Sequence, residues 1–298
     1  MESRFQDSSI LVTGANGGIG KETIIQLLRK KPKLIVLGCR KQRVANELAA
    51  ELTTLTNTST ELIPAGGFDM NDPFSVNTAI SDLPEYVKMD IVFLQAGGVI
   101  FEDNFQFTSY KHVKFERTVF QNALGGYATL IALKRHSKLA NCVRIVFAGG
   151  EGVRGINGMI ESPSFKSGED LINYVHSGNS DKYNPMNAIG VSKLVSALLV
   201  DKLADLDQSN QYIWFSPGLT AGTKGLDKLK GAKKFVMKHI VFNLLKAFGL
   251  AQSAQKAAQK NVDALSGKIG VSGDIIGAPE GKALGKLVDQ KPMNVLLT

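Results

Sequence analysis

Between the apolar run Ile10-Leu11-Val12 and a helical stretch at Lys21–Lys30 lies the turn Thr13-Gly14-Ala15-Asn16-Gly17-Gly18-Ile19-Gly20. Glycines placed directly after a strand and before a helix let the backbone double back and approach a pyrophosphate, whose charge then sits at the helix N-terminus. A glycine cluster alone is weak evidence. The strand–turn–helix setting is what makes it specific.

The rest of the chain keeps that rhythm. Leu34–Leu37, Leu62-Ile63, Ile91–Leu94, Val143–Phe147 and Tyr212–Phe215 read as strands, with a last one near Asp274–Ile276. Helical patterns fall at Val44–Leu55, Phe74–Ile80, Thr118–Leu133 and Met186–Leu206. Strands buried on both faces are continuous apolar runs, and parallel neighbours need crossover helices between them. The expected architecture is α/β: a Rossmann-type, doubly wound parallel sheet flanked by helices, forming one domain over residues 1–298. Two segments break the pattern. Residues 151–183 are rich in Gly, Ser and Asn and read as a functional loop or an insertion, and 224–250 is a basic, lid-like helical segment.

Composition narrows the partners. The net charge of +8 is spread along the chain, which favours anionic ligands without implying nucleic acid. Two cysteines, Cys39 and Cys142, rule out a disulfide scaffold, and four scattered histidines give no metal-ligand spacing. Neither a signal peptide nor an apolar run of spanning length stands out, so a cytoplasmic protein is expected.

The second strand ends Gly38-Cys39-Arg40-Lys41. A site for an unphosphorylated ribose places an acid about 20 residues beyond the glycines. Here Arg40 and Lys41 stand instead, and a guanidinium can fork onto a 2′-phosphate. NADP(H) is therefore the expected cofactor; the plainer alternative is a pair of solvated cations.

Thr13-Gly14-x-x-x-Gly18-Ile19-Gly20 resembles the cofactor motif of the short-chain dehydrogenase/reductases, and residues 13–23 look like its retinol-dehydrogenase and protochlorophyllide-reductase branch. Further similarities are Cys39-Arg40, Phe68-Asp69-Met70-x-Asp72, Ala96-Gly97, Asn122-Ala123-Leu124-Gly125, Ser192-Lys193-Leu194 and Ser216-Pro217-Gly218-x-x-x-Gly222-Thr223. Leu94-Gln95 stand where the family has two asparagines. The resemblance implies a cofactor held by Thr13, Gly14, Asn16, Gly17, Gly18, Ile19, Gly20, Arg40, Asp69, Ala96, Gly97, Lys193, Pro217, Gly218 and Thr223. It also implies a homodimer or homotetramer formed through the helices bearing Asn122 and Lys193.

The chemistry departs from the pattern. The family's Tyr-x-x-x-Lys puts its tyrosine at Ile189, and the serine that follows its fifth strand falls on Gly149 or Gly150. Asn122 and Lys193 remain as catalytic candidates. A donor from the loop, Tyr174, His176 or Tyr183, or the carboxylate of Glu151, stays open. Two readings follow. One is an NADP(H)-dependent oxidoreductase passing hydride to an apolar or bulky small molecule, with the two glycines making room. The other is a catalytically silent NADP(H)-binding scaffold or sensor. In the basic segment, Met237, Val241, Leu244 and Phe248 share one helical face. That face suits a substrate lid, or a peripheral membrane contact through 228–250.

Overall fold

The structure, a computed structural model, describes residues 4–178, 183–220, 252–277 and 288–289. Thr223, the basic segment 224–250 and the membrane contact expected of it lie outside the described residues. In chain order the elements are β1 (Ser9–Thr13), α1 (Gly18–Leu28), β2 (Leu34–Gly38), α2 (Gln42–Thr56), β3 (Glu61–Ala65), α3 (Pro73–Ser81), β4 (Met89–Leu94), β5 (Phe107–Tyr110) and β6 (Val113–Glu116). They continue as α4 (Arg117–Val119), α5 (Gly125–Arg135), β7 (Leu139–Ala148), α6 (Gly168–Ser177), α7 (Pro185–Leu206), β8 (Gln211–Phe215), α8 (Ala254–Ser266), β9 (Ile275–Gly277) and β10 (Val288–Asp289). A π-helical turn, Phe120–Leu124, joins α4 to α5, and a 3-10 turn, Glu151–Arg154, follows β7.

The strands order as β10-β9-β8-β7-β4-β1-β2-β3. All neighbours are parallel except β10, which closes the edge antiparallel to β9. The fully buried runs of β1 and β2 put alternate residues on opposite faces. Leu11, Leu34 and Val36 pack with Val76 and Ile80 of α3, Leu130 and Leu133 of α5, and Leu194, Ala197 and Val200 of α7. Ile10, Val12, Ile35 and Leu37 pack with α1, α2 and Val262, Ala264 and Leu265 of α8. The chain leaves β1 in one direction to β2 and crosses to β4 in the other, so the sheet opens a crevice at the C-terminal ends of β1 and β4.

Local chemistry sets several ends. Asp72 caps α3 by accepting from Phe74 N and Ser75 N, both at 3.1 Å, with Pro73 at the first helical position. Asn184 and Pro185 open α7 in the same way. In the segment 151–183, expected as a loop or an insertion, the described residues 151–178 hold the 3-10 turn and α6, which Ser167 caps. The β5–β6 hairpin was not expected. Its turn runs through Lys111 and His112 at φ 49° and 69°, left-handed positions that Asn and Gly usually occupy. Among the described residues, no helix is long and apolar enough to cross a membrane.

One buried cation ties the C-terminal part to the sheet. Arg144 of β7 donates from Nε to Ala264 O at 2.7 Å and from Nη2 to Ile269 O at 2.7 Å and Gly270 O at 2.9 Å; Nη1 reaches Gln211 Oε1 at 2.9 Å. Burial pushes its pKa down to about 10, so it stays charged at neutral pH against the C-terminal carbonyls of α8. Arg144→Met keeps the stem and removes every donor. Denaturant unfolding should report a loss of at least about 3 kcal/mol, from buried carbonyls left without partners.

Candidate functional site

The turn after β1 is built from close backbone approaches. Gly14 sits at φ 66°, and a Cβ there would lie 2.9 Å from Ala96 Cα. A Cβ on Gly20 would lie 2.5 Å from Gly14 O and 2.7 Å from Gln95 Nε2. Side chains are excluded at both positions, so the turn can press α1 against the end of β4. Thr13 is fully buried, and its hydroxyl accepts from Gln95 N at 2.9 Å and Ala96 N at 3.0 Å. Its role here is to hold β1 to the β4 exit. Gly17 is the N-cap of α1; no side chain caps it and no acid stands in the first turn. The positive end of the helix therefore faces the crevice without a protein anion.

A cleft of about 190 Å³ opens there. Gly14, Asn16, Gly17, Ala96 and Gly97 line it, with Arg40, Phe68 and Met70, and with Gln95 and Gln121. Gly18, Ile19 and Gly20 begin α1 behind it. Arg40 Nε stands 3.7 Å from Asp69 Oδ2, with the arginine side chain 62% exposed, so the pair is loose and the guanidinium can turn to a ligand at little cost. Cys39 is buried beside the turn, and burial pushes its thiol up despite the Asn16 amide. Gln95 Oε1 is buried with no hydrogen-bond partner.

Phe68, Met70, Gln95 and Gln121 were not anticipated as cleft residues. Phe68 and Met70 flank the aspartate motif, which was a usable signal. Gln121 is brought in by the fold: its Nε2 donates to Gly98 O at 3.1 Å, and its Oε1 accepts from Asn71 Nδ2 at 3.0 Å. Asn122 lies in the π turn, a common device for re-aiming side chains at sites. Its Oδ1 accepts from Gly98 N at 2.7 Å, and Nδ2 donates to Gly98 O at 3.1 Å and Thr118 O at 2.9 Å. The amide is thus spent on backbone and fixes the Gly97-Gly98 segment, where a Cβ on Gly97 would meet Asn122 Oδ1 at 2.4 Å.

Lys193, Pro217 and Gly218 gather at the ends of β7 and β8, outside the lining of this cleft. Lys193 Nζ donates to Ala148 O at 2.7 Å, and its methylenes lie over Gly150, with Cε 3.3 Å from where a Cβ would be. Burial pushes its pKa down to about 8. A Cβ on Gly149 would stand 2.8 Å from three atoms of the Trp214 indole, which is fully buried and donates from Nε1 to Ser196 Oγ at 2.7 Å. The room expected from the two glycines is therefore already filled, by Trp214 at 149 and by the lysine stem at 150.

The other candidates are committed elsewhere. Glu151 Oε1 accepts from Ser216 Oγ at 2.7 Å, and Oε2 pairs with Arg154. Lys260 Nζ donates to Pro217 O at 3.0 Å. Tyr174 and His176 belong to α6 and not to a loop. Tyr174 packs with Phe105 and Phe165 in a cluster with Val191, Val195 and Leu198. Residues 191 and 195 lie about 200° around α7 from Lys193, given about 100° per residue. Tyr183 Oη meets Thr118 Oγ1 at 3.0 Å and Ile100 O at 3.3 Å, and burial raises both phenols. His176 Nδ1 sits 2.7 Å from Lys114 O. None of the three is brought to Lys193. Gly149→Ser should lower unfolding stability by about 1–3 kcal/mol through overpacking against Trp214. Adding Trp214→Phe should recover part of that loss, as read by denaturant titration.

Residues 8–155 match the short chain dehydrogenase family. An NADP-dependent 3-hydroxy acid dehydrogenase of Schizosaccharomyces pombe is 31% identical over 96 residues, covering 32% of this chain and 36% of that protein. The short chain dehydrogenase resG of Aspergillus sclerotiorum is 30% identical over 96 residues, covering 32% of this chain and 26% of its own. The matched segment thus spans about a third or less of either relative. A short chain dehydrogenase from Burkholderia cenocepacia, solved in complex with NADP, superposes with a TM-score of 0.57 at 20% identity, covering 88% of this chain and 91% of that one. The glycine turn and the seven parallel strands agree with that match to the short chain dehydrogenase family over residues 8–155.

Proposed function

We propose that this protein is an NADP(H)-dependent oxidoreductase. The observation that carries the reading is the side-chain-free cradle of Gly14, Gly17 and Gly20 at the uncapped start of α1, with Arg40 at its mouth. The residues fit the group: backbone amides and a helix N-terminus for a pyrophosphate, and a mobile guanidinium for a 2′-phosphate. The NADP-dependent relative and the NADP-bound structure support the same choice. When bound, the nicotinamide supplies a hydride. The chain's own part is to hold it: the glycine turn and Gly97 by close approach, Arg40 by turning from Asp69, Lys193 and the Pro217-Gly218 segment at the far end.

The site is atypical on this reading. Ile189 occupies the family's tyrosine position and Gly149 or Gly150 its serine position, as in a divergent member of the retinol-dehydrogenase-like branch. The hydrocarbon at 189 suits an apolar substrate; the filled space at 149 and 150 argues against extra bulk on that side. The second reading, a silent NADP(H)-binding scaffold or sensor, is favoured by the same Ile189 and by Trp214 packed where a serine side chain would begin.

Fluorescence titration should show NADPH binding more tightly than NADH. Arg40→Ala should weaken NADPH by about 1.5–3 kcal/mol, roughly 10- to 150-fold, and leave NADH unchanged. Equal affinities in the wild type would sink the assignment. NADPH consumption across ketones, enones and imines then separates the enzyme from the silent protein.

A further inference from the structure

We propose that Gln95 is a ligand-binding residue of the cleft, reading a phosphorylated ribose with its side-chain carboxamide. This rests on the NADP(H) reading and deepens it. Gln95 follows β4 directly and is among the residues that line the cleft. It stands where the resembled family has an asparagine, so the longer side chain is this chain's own. Its backbone is fixed, with the amide N donating to Thr13 Oγ1 at 2.9 Å. Its side chain is not. Oε1 is buried without a hydrogen-bond partner, and among the described residues Nε2 makes no hydrogen bond either. A buried acceptor left unpaired is costly and rare in folded proteins, and each instance calls for a reason.

Placement identifies the ligand chemistry. Nε2 stands 2.7 Å from where a Cβ on Gly20 would be and 3.9 Å from one on Gly17. The carboxamide therefore lies against the first turn of α1, which has Gly17 as its N-cap, no side-chain cap and no acid. A helix start of that kind favours an anion.

The two ends of the carboxamide ask for different partners, since Nε2 only donates and Oε1 only accepts. An ionised phosphate accepts from Nε2 and has nothing to give Oε1. A ligand that meets both carries a donor close to its phosphate, and in a nucleotide the hydroxyls of the ribose are such donors. Nε2 then donates to a phosphate oxygen at the start of α1, and Oε1 accepts from a ribose hydroxyl. The terminal torsion of a glutamine is broad, and no protein hydrogen bond holds this one, so turning it to a ligand costs little. Gly20 thereby has a second reason to lack a side chain: a Cβ there would displace the carboxamide.

The test separates a ligand-binding amide from a structural one. Gln95→Met keeps the length of the side chain and removes both polar ends. The free variant, relieved of a buried unpaired acceptor, should melt at the wild-type temperature or up to about 4 °C above it. Calorimetric titration should show NADPH binding about 10-fold more weakly than to the wild type. Gln95→Glu keeps an acceptor but sets a charge against the phosphate. It should weaken NADPH further, by at least about 50-fold, and more at low salt than at high. The same titrations with 2′,5′-ADP locate the hydroxyl. A loss with both ligands assigns it to the adenosine ribose, and a loss with NADPH alone assigns it to the nicotinamide ribose. An NADPH affinity unchanged in Gln95→Met overturns the proposal and leaves the NADP(H) reading standing. So does a free Gln95→Met protein that melts several degrees below the wild type, because the amide is then part of the folded framework. Failure of the wild type to bind NADPH removes that reading and this proposal with it.

Discussion

The contact between Gly14 and Ala96 sets the spacing of the whole active face. β1 and β4 are sheet neighbours, and their exits must part to admit a ligand while α1 still packs on the sheet. A Cβ at Gly14 would meet Ala96 Cα at 2.9 Å, and one at Gly20 would meet Gly14 O at 2.5 Å. Any side chain at either position would lever α1 off β4. At φ 66°, an L-residue at 14 would add a backbone penalty of about 1–2 kcal/mol. The close approach is kept by Thr13, whose hydroxyl holds both amides at the β4 exit.

From there the constraint passes outward through further side-chain-free contacts. Gly97 makes room for the Asn122 amide, which locks the segment after β4 onto the π turn. A Cβ at Gly125 would meet Met70 O at 2.5 Å, so α5 can begin directly against the residue that lines the cleft. A turn, a strand exit and a helix start are thereby fixed against one another by backbone geometry. That rigidity orders a cleft whose charged member, Arg40, is left loose at the rim.

How much of this the sequence disclosed follows from range. The strands were legible because burial on both faces makes them unbroken apolar runs, and Arg40 and the glycine turn because each motif is local. The β5–β6 hairpin was hidden by a turn through Lys111 and His112 that has neither Asn nor Gly. Helix α6 was hidden because it buries only Leu171 and Tyr174, too few for a stripe, among glycines and serines. Gln121 and the Trp214–Gly149 contact were illegible for another reason: they join residues far apart in the chain, and only the register of β7 with β8, Phe147 beside Trp214, brings the indole over Gly149.

That register gives the two ends of the site different physics. The end at Gly14 is made of backbone, which presents amides at fixed positions and tolerates no added atom. The end at Lys193 is made of side chains packed on side chains: the indole over Gly149 and the lysine stem over Gly150. The indole closes the space a Cβ would need at Gly149, and burial of Lys193 pushes its pKa down to about 8 with no charged neighbour involved.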